Sequence, residues 1–181
     1  MQLALDLGQH AALADMRDRL RASAPPLVVR RTLDPMAQLV KSLLSGSTRD
    51  AVSWAAFLRL REAVGEEWGL PAETDPRAVA RIVAAVTHAE RKAEWLCATI
   101  RLLGAPHGRI DLGFLAAMPL GEAMTWLQRL PGVGCKTAAS VLNFSTLARP
   151  VLVVDRHVHR VATRFGLADA GGAPADTHAA L

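Results

Sequence analysis

The sequence predicts an all-α fold, and composition, helical periodicity and helix-start signals all indicate it. Half of the 181 residues are hydrophobic, tyrosine is absent, and β-branched runs are short. Apolar residues recur with helical spacing along most of the chain. Asp34-Pro35 and Asp75-Pro76 each supply an N-cap followed by proline at the first helical position. A chain of this length suits a single domain, residues 1–181, with one or two lobes.

Charge and cysteine content narrow the class of protein. The formal net charge is +4 and the isoelectric point is near 9.8, values compatible with a polyanionic partner and equally with an ordinary basic protein. Cys97 and Cys135 form neither a metal-ligand spacing nor a disulfide framework, which indicates a reducing compartment. The first residues lack a secretion-signal pattern, and no apolar run is long enough to span a bilayer. We therefore expect a cytoplasmic, monomeric protein without a metal site.

The first helices follow from their apolar spacing. One amphipathic helix is expected over residues 10–22. A central helix starts at Pro35, carries a broad apolar face and ends at Ser45-Gly46. The pattern of residues 47–50 is that of a capping box, with a carboxylate three residues after a hydroxyl. It predicts the start of a further helix that runs to about Leu60 or Val64.

The middle of the chain predicts two more helices. One begins after Asp75-Pro76, and another covers residues 88–103, followed by a turn at 104–108. Arg91 and Lys92 fall at the predicted exposed start of the second helix. Such side chains usually meet only water, and contact with a polyanionic partner is the alternative.

The stretch Leu130-Pro131-Gly132-Val133-Gly134-Cys135-Lys136-Thr137-Ala138 separates two predicted helices, 121–129 and 136–147. Pro131 stops the first helix, and the two glycines permit a tight turn. Such a turn leaves backbone N–H groups at the start of the second helix, where the helix dipole also favours an anion. We therefore expect a hairpin that binds phosphate without reading base sequence.

The C-terminal part begins with an apolar run at 149–154, which predicts a buried extended connector. Asp155 follows as the expected N-cap of a helix over 156–165. A last helical pattern starts at Asp176, but too few residues remain for that helix to be stable. The expected lobes are residues 34–147, with the hairpin at 130–136, and residues 1–33 combined with 148–181, a lobe that looks incomplete at its C-terminal end.

The hairpin, followed by Val154-Asp155-Arg156-His157-Val158-His159-Arg160-Val161, resembles the helix-hairpin-helix DNA glycosylase superfamily, and most of all its endonuclease III-like branch. The resemblance runs from about residue 13 onwards, is strongest over 130–166, and has a weaker match at 43–50. It implies a two-lobed helical glycosylase fold with a DNA-binding cleft between the lobes. It also implies a nucleoid-associated protein whose partner is double-stranded DNA with a damaged base or an abasic site, and the Ala- and Arg-rich composition suggests a bacterial source.

The resemblance implies a catalytic pair and a set of DNA contacts. Lys136 matches the lysine whose amine attacks the sugar carbon and forms a Schiff base, and Asp155 matches the assisting carboxylate. The implied DNA contacts lie in the hairpin, in the 45–49 loop and after Asp155: Leu130, Pro131, Gly132, Val133, Gly134, Thr137, Ser45, Gly46, Ser47, Arg49 and His157. An attacking amine must be deprotonated, and removal from water favours the neutral form. Lys136 is therefore expected in a partly buried cleft.

Substrate and activity leave alternatives open. The resemblance implies oxidised pyrimidines as substrates and an abasic-site lyase activity. Ser47 stands where this branch usually has glutamine, and its side chain is too short to fill an emptied base position. An N-cap role for Ser47 is the alternative. The chain could also be a non-catalytic helix-hairpin-helix DNA-binding module, or a monofunctional glycosylase for other base lesions.

Endonuclease III-like proteins usually continue through a four-cysteine iron–sulfur loop. The sequence has two cysteines, which cannot supply such a ligand set. We therefore expect no cofactor within these residues, and a [4Fe-4S] cluster only if the chain continues past Leu181.

Overall fold

The computed structural model describes residues 7–23, 32–71, 73–104, 110–169 and 171–180. Within these ranges the chain is helical and contains no strand, so the predicted all-α class is confirmed; an isolated bridge joins Leu33 and Ser145. The predicted turn at 104–108 lies largely outside the described residues. The helices are α1 (Leu7–Ser23), α2 (Pro35–Ser45), α3 (Asp50–Val64), α4 (Pro76–Ile82), α5 (Ala89–Leu103), a 3-10 turn (Gly113–Ala116), α6 (Leu120–Leu127), α7 (Cys135–Phe144), α8 (Arg156–Arg164) and α9 (Pro174–Ala180).

The chain divides into two compact units. The larger is Thr32–Val153, and the smaller combines α1 with the described residues from Val154 onwards. The larger unit reaches six residues beyond the expected limit at 147. Its last segment is attached by the Asn143 side chain, whose Nδ2 donates to the carbonyls of Arg149 and Val151 at 3.2 and 3.0 Å. The Arg149 guanidinium also donates to the carbonyl of Leu115 at 2.8 Å.

Helix α2 is the centre of the larger unit and packs against α3, α5 and α7. Its apolar positions are buried, as the broad face in the sequence predicts: Met36, Leu39, Val40, Leu43 and Leu44. Asp34 is its N-cap and accepts hydrogen bonds from the N–H groups of Met36 and Ala37, both at 2.9 Å. The first turn of α4 is capped in the same way by Asp75. Both predicted caps are therefore confirmed.

The predicted capping box at residues 47–50 is wrong. Helix α3 begins after Arg49, which makes no side-chain cap, and Ser47 lies outside the helix with φ of +53°. The Asp50 carboxylate, which a capping box would direct back to a backbone N–H, instead contacts Lys41 Nζ at 3.0 Å.

The two helices that flank the hairpin are shorter than predicted. Helix α6 ends at Leu127, and residues 128–132 form turns. Helix α7 ends at Phe144 instead of residue 147, because the N–H of Thr146 donates to the carbonyl of Leu33 at 2.9 Å. The Thr146 N–H, which a longer helix would bond internally, is therefore bonded to a residue outside the helix.

In the smaller unit Asp155 caps α8 as predicted, and α9 packs against α8. The expectation that the last helix would be unstable is wrong. Helix α9 starts two residues earlier than predicted, at Pro174, and the Asp176 carboxylate accepts from the N–H of Ala173 at 2.8 Å. His159 Nδ1 on α8 lies 2.6 Å from Oγ1 of the buried Thr177. Tertiary contact therefore stabilises a helix too short to persist alone.

Of the helices that the structure describes, none combines the length and the apolar composition needed to cross a lipid bilayer.

Candidate functional site

The hairpin between α6 and α7 is fixed to the core by two apolar side chains. Leu130 and Val133 are both only 6% exposed, and the N–H of Val133 donates to the carbonyl of Leu130 at 3.1 Å. The DNA contacts predicted for these two residues can therefore come only from their backbone. Gly132 has φ of +75°, a conformation that favours glycine, as the predicted tight turn requires.

The turn lies directly on an aromatic ring of α5. A Cβ built on Gly132 would come within 2.4 Å of the Trp95 ring, whereas one built on Gly134 would meet nothing within 4 Å. Arg91, one helical turn before Trp95, places its guanidinium carbon 5.7 Å from the ring centroid. The hairpin backbone therefore lies in direct contact with the Trp95 side chain of α5.

The start of α7 can receive an anion. Gly134 is the N-cap and provides no side-chain acceptor for the first turn. The first N–H groups of the helix, at Cys135, Lys136 and Thr137, therefore have no partner within the helix, and the helix dipole adds partial positive charge there. The Cys135 thiol lies 3.1 Å from the Gln128 side-chain oxygen, across the turn.

Lys136 is exposed, which contradicts the expected partial burial. It occupies the first turn of α7, whereas the buried residues of this helix come later and surround the helix: Ala138, Ala139, Ser140, Val141 and Leu142. Ser140 lies one turn after Lys136 on the same side and is buried, so Lys136 is exposed because it precedes the buried part of the helix.

The sequence has three lysines, and they differ clearly in their exposure to solvent. Lys41 and Lys92 are 8% and 3% exposed, so Lys136 is the exposed amine among the three lysine side chains. The expectation that Lys92 lies at an exposed helix start is wrong. It shares the inner face of α5 with Ala93 and Leu96, and this helical spacing was a signal that the sequence offered.

The buried amine of Lys92 lies beneath the loop between α2 and α3. Its Nζ donates to the carbonyls of Leu44 and Gly46 at 2.8 and 2.6 Å and to Oγ1 of Thr48 at 3.1 Å. Burial lowers the pKa of the Lys92 amine. The loop residues Gly46, Ser47 and Arg49 are themselves exposed.

Lys41 holds the other side of the same loop. Its Nζ lies 2.8 Å from Ser45 Oγ, 3.0 Å from Asp50 Oδ1 and 3.2 Å from Ser53 Oγ. The Ser45 hydroxyl is thus directed into the protein, which leaves Gly46, Ser47 and Arg49 as the exposed positions of the predicted DNA-probing loop. Both elements predicted to bind DNA, the hairpin and the loop, contact α5, through Trp95 and Lys92 respectively.

The smaller unit contains the remaining predicted site residues. Oδ1 of Asp155 accepts from the N–H groups of His157 and Val158 at 2.8 and 2.9 Å. His157 is exposed, and its Nδ1 lies 3.2 Å from Nη2 of Arg160. The carboxylate is therefore oriented by the helix that it caps.

No group of three or more His, Cys, Asp and Glu side chains in the described part of the chain is arranged to hold a metal ion. The predicted lack of a cofactor stays a prediction.

Comparison with known proteins agrees with this architecture. The chain is 30% identical over 147 residues to endonuclease III-like protein 1 of Gallus gallus, covering 79% of this chain and 46% of the relative. It is 32% identical over 133 residues to endonuclease III of Thermotoga maritima, covering 74% of this chain and 57% of the relative. The chain thus spans about half the length of the curated relatives it matches. No protein-family model matches the chain.

The fold is shared with a solved endonuclease III. A structure described as a trapped endonuclease III–DNA covalent intermediate superposes with a TM-score of 0.70 at 23% identity, covering 98% of this chain and 77% of that one. An 8-oxoguanine glycosylase/lyase of Clostridium acetobutylicum superposes with a TM-score of 0.65 at 16% identity, covering 94% and 62%. The hairpin, the N-cap that Asp155 provides for α8 and these relatives agree: the chain belongs to the endonuclease III-like branch of the helix-hairpin-helix DNA glycosylase superfamily.

Proposed function

We propose that this protein is a base-excision DNA glycosylase with abasic-site lyase activity. The observation that supports it most is the exposure of Lys136 at the hairpin, next to N–H groups suited to a phosphate, while both other lysines are buried. Only Lys136 can then offer a lysine amine to DNA. Among the relatives, an Arabidopsis thaliana protein that is 37% identical over 84 residues is named as an N-glycosylase/DNA lyase, which supports the same chemistry.

The proposed reaction assigns separate steps to the two catalytic residues. The target base leaves the stack, and the neutral Lys136 amine attacks the sugar C1′ while the base departs with the electron pair of the glycosidic bond. The Asp155 carboxylate stabilises the positive charge that develops on the sugar. The nitrogen then loses a proton, and the C1′–O4′ bond opens as O4′ takes up a proton, which leaves an iminium between Lys136 and C1′. The iminium permits loss of a 2′ proton and cleavage of the C3′–O bond, with the 3′ phosphate as the leaving group. Because Lys136 is exposed in the protein, desolvation of its amine has to come from bound DNA.

Oxidised or ring-broken pyrimidines are the proposed substrates, and duplex DNA is the proposed partner. The resemblance to endonuclease III supports this class. The Ser47 side chain in the exposed loop cannot fill a vacated base position. A wider range of base lesions should therefore be tested.

The test is a base-release assay on duplexes that carry one oxidised pyrimidine. We expect wild-type protein to release the base and to cut the strand without added alkali, and Lys136→Ala to lose strand cutting by at least about a hundredfold. Release of the base without strand cutting would instead establish a monofunctional glycosylase. Testing 8-oxoguanine and alkylated-base duplexes in parallel assigns the lesion class.

A non-catalytic DNA-binding module is the second candidate, and the first N–H groups of α7 favour it, because a hairpin that holds a phosphate there can bind DNA without any chemistry. Folded protein that binds duplex DNA but releases no base from any of these substrates would establish the module.

A further inference from the structure

The loop between α2 and α3 is held in place by donors from outside the loop. Lys92 Nζ reaches the carbonyl of Leu44 at 2.8 Å, the carbonyl of Gly46 at 2.6 Å and Oγ1 of Thr48 at 3.1 Å. The first two acceptors lie at the C-terminal end of α2, where carbonyl groups lack partners within the helix and a cation is favoured. A buried ammonium group, 3% exposed as a residue, thus meets three acceptors from one short segment.

Thr87 supplies a second attachment. Its hydroxyl donates to the carbonyl of Ser47 at 2.9 Å, and its N–H donates to Oγ1 of Thr48 at 3.1 Å. Gly46, Ser47 and Thr48 are therefore each bonded to the region that starts α5. These bonds hold Ser47 at φ of +53°, a conformation that non-glycine residues rarely adopt without support from their surroundings.

The same bonds leave the outer surface of the loop available. Gly46, Ser47 and Arg49 are exposed, and the bonds that Lys92 and Thr87 make come from the protein side. A loop fixed in this way needs no ordering when a partner binds, and preorganisation of this kind improves affinity for the shape that fits. Because Ser47 is short, the shape of the backbone is what this loop can present to a duplex.

We infer that Lys92 is a positioning residue that preforms the 45–48 loop, and that this fixed loop distinguishes duplex DNA with a missing base from intact duplex. The inference rests on the proposed function and deepens it. Lys92 itself touches no DNA, since it is buried beneath the loop. In place of a long side chain that would fill an emptied base position, this loop presents a rigid turn of backbone.

The test compares the dissociation constant for a duplex carrying a tetrahydrofuran abasic analogue with that for the intact duplex. Lys92→Met keeps most of the side-chain length and removes the ammonium group. Arg81→Met, on the exposed face of α4, removes one positive charge elsewhere and is the matched control. We expect Lys92→Met to lose the preference for the analogue by about tenfold, with intact-duplex affinity within about twofold of Arg81→Met. Hydrogen exchange should accelerate at 45–48 and stay unchanged at 130–134.

Retention of the wild-type preference by folded Lys92→Met would overturn the inference. Should that variant fail to fold, Thr87→Val removes only the donor to the Ser47 carbonyl. It should lower the preference in the same direction, and an unchanged preference would overturn the inference equally. A wild-type protein that binds both duplexes alike would instead contradict the proposed function, and this inference with it.

Discussion

Gly132 lies against the ring of Trp95, so close that a Cβ on the glycine would approach the ring to 2.4 Å. The contact joins the hairpin to α5. Position 132 requires glycine for two reasons: its φ is +75°, and the Trp95 ring leaves no space for a side chain. The neighbouring Gly134, with φ of −95°, has neither requirement.

Gly132→Ala should therefore destabilise the protein by about 1–3 kcal/mol, because the added methyl overpacks the Trp95 contact in a backbone conformation that alanine disfavours. Urea denaturation measures the loss. Gly134→Ala is the matched control and should change the free energy of unfolding by less than about 1 kcal/mol.

A double variant separates the two causes. In a Trp95→Ala background the ring is gone, so Gly132→Ala should cost less than in the wild type, and the difference is the coupling between the two residues. Equal losses for the two glycine variants, or no coupling with Trp95, would contradict the packing described for the hairpin.

Asp155 should reveal two separable roles. Asn retains an oxygen that caps α8, so Asp155→Asn should stay within about 0.5 kcal/mol of wild-type stability, whereas Asp155→Ala loses the cap and about 0.5–2 kcal/mol. Both variants lack the carboxylate and should lose base release alike. Thermal melting and the base-release assay measure the two effects. Wild-type rates in Asp155→Asn would remove Asp155 from the proposed chemistry.

The two cysteines should differ in reactivity towards a thiol reagent. Cys97 is buried, and burial raises the pKa of its thiol; Asp75 adds to the rise, and the Arg101 guanidinium opposes it. Cys135 lies half-buried at the hairpin. Native protein should therefore label once, at Cys135, and Cys135→Ser should abolish that label. Simultaneous labelling of both thiols would contradict the core position of Cys97.

The raised pKa of Cys97 also predicts a dependence of stability on pH. The folded chain keeps this proton at a pH where the unfolded chain releases it, so stability falls as pH rises above the usual thiol pKa of about 8.5. Between pH 8 and pH 10, wild-type protein should lose more unfolding free energy than Cys97→Ala. Parallel curves for the two proteins would refute the assignment.

Local signals explain what the sequence predicted well. The caps at Asp34, Asp75 and Asp155 bind N–H groups two or three residues away, so their geometry is contained in a few adjacent residues. The hairpin could also be predicted from the sequence, because proline and glycine determine the backbone conformation at their own positions.

Long-range contacts explain what the sequence could not predict. The hydrogen-bond acceptors of Lys92 lie 44 to 48 residues before it in the sequence, and no local sequence pattern predicts such a pairing. Ser47 resembled an N-cap in the sequence. In the structure its carbonyl accepts a hydrogen bond from Thr87, which lies 40 residues away. Helix α9 looked too short because its stability comes from Thr177 packing against His159 on another helix. Lys136 is exposed because the core covers α7 only from Ala138 onwards, and the sequence does not show where that cover begins.

Borohydride trapping tests the central claim most directly. Protein is mixed with a duplex carrying one abasic site and reduced, and the adduct is digested and mapped by mass spectrometry. The account predicts a covalent adduct at Lys136 that is absent from Lys136→Ala and retained by Arg129→Ala, which removes a neighbouring exposed charge instead. An adduct of equal yield in Lys136→Ala, or none in wild-type protein that binds the abasic duplex, would contradict the assignment of Lys136 as the nucleophile.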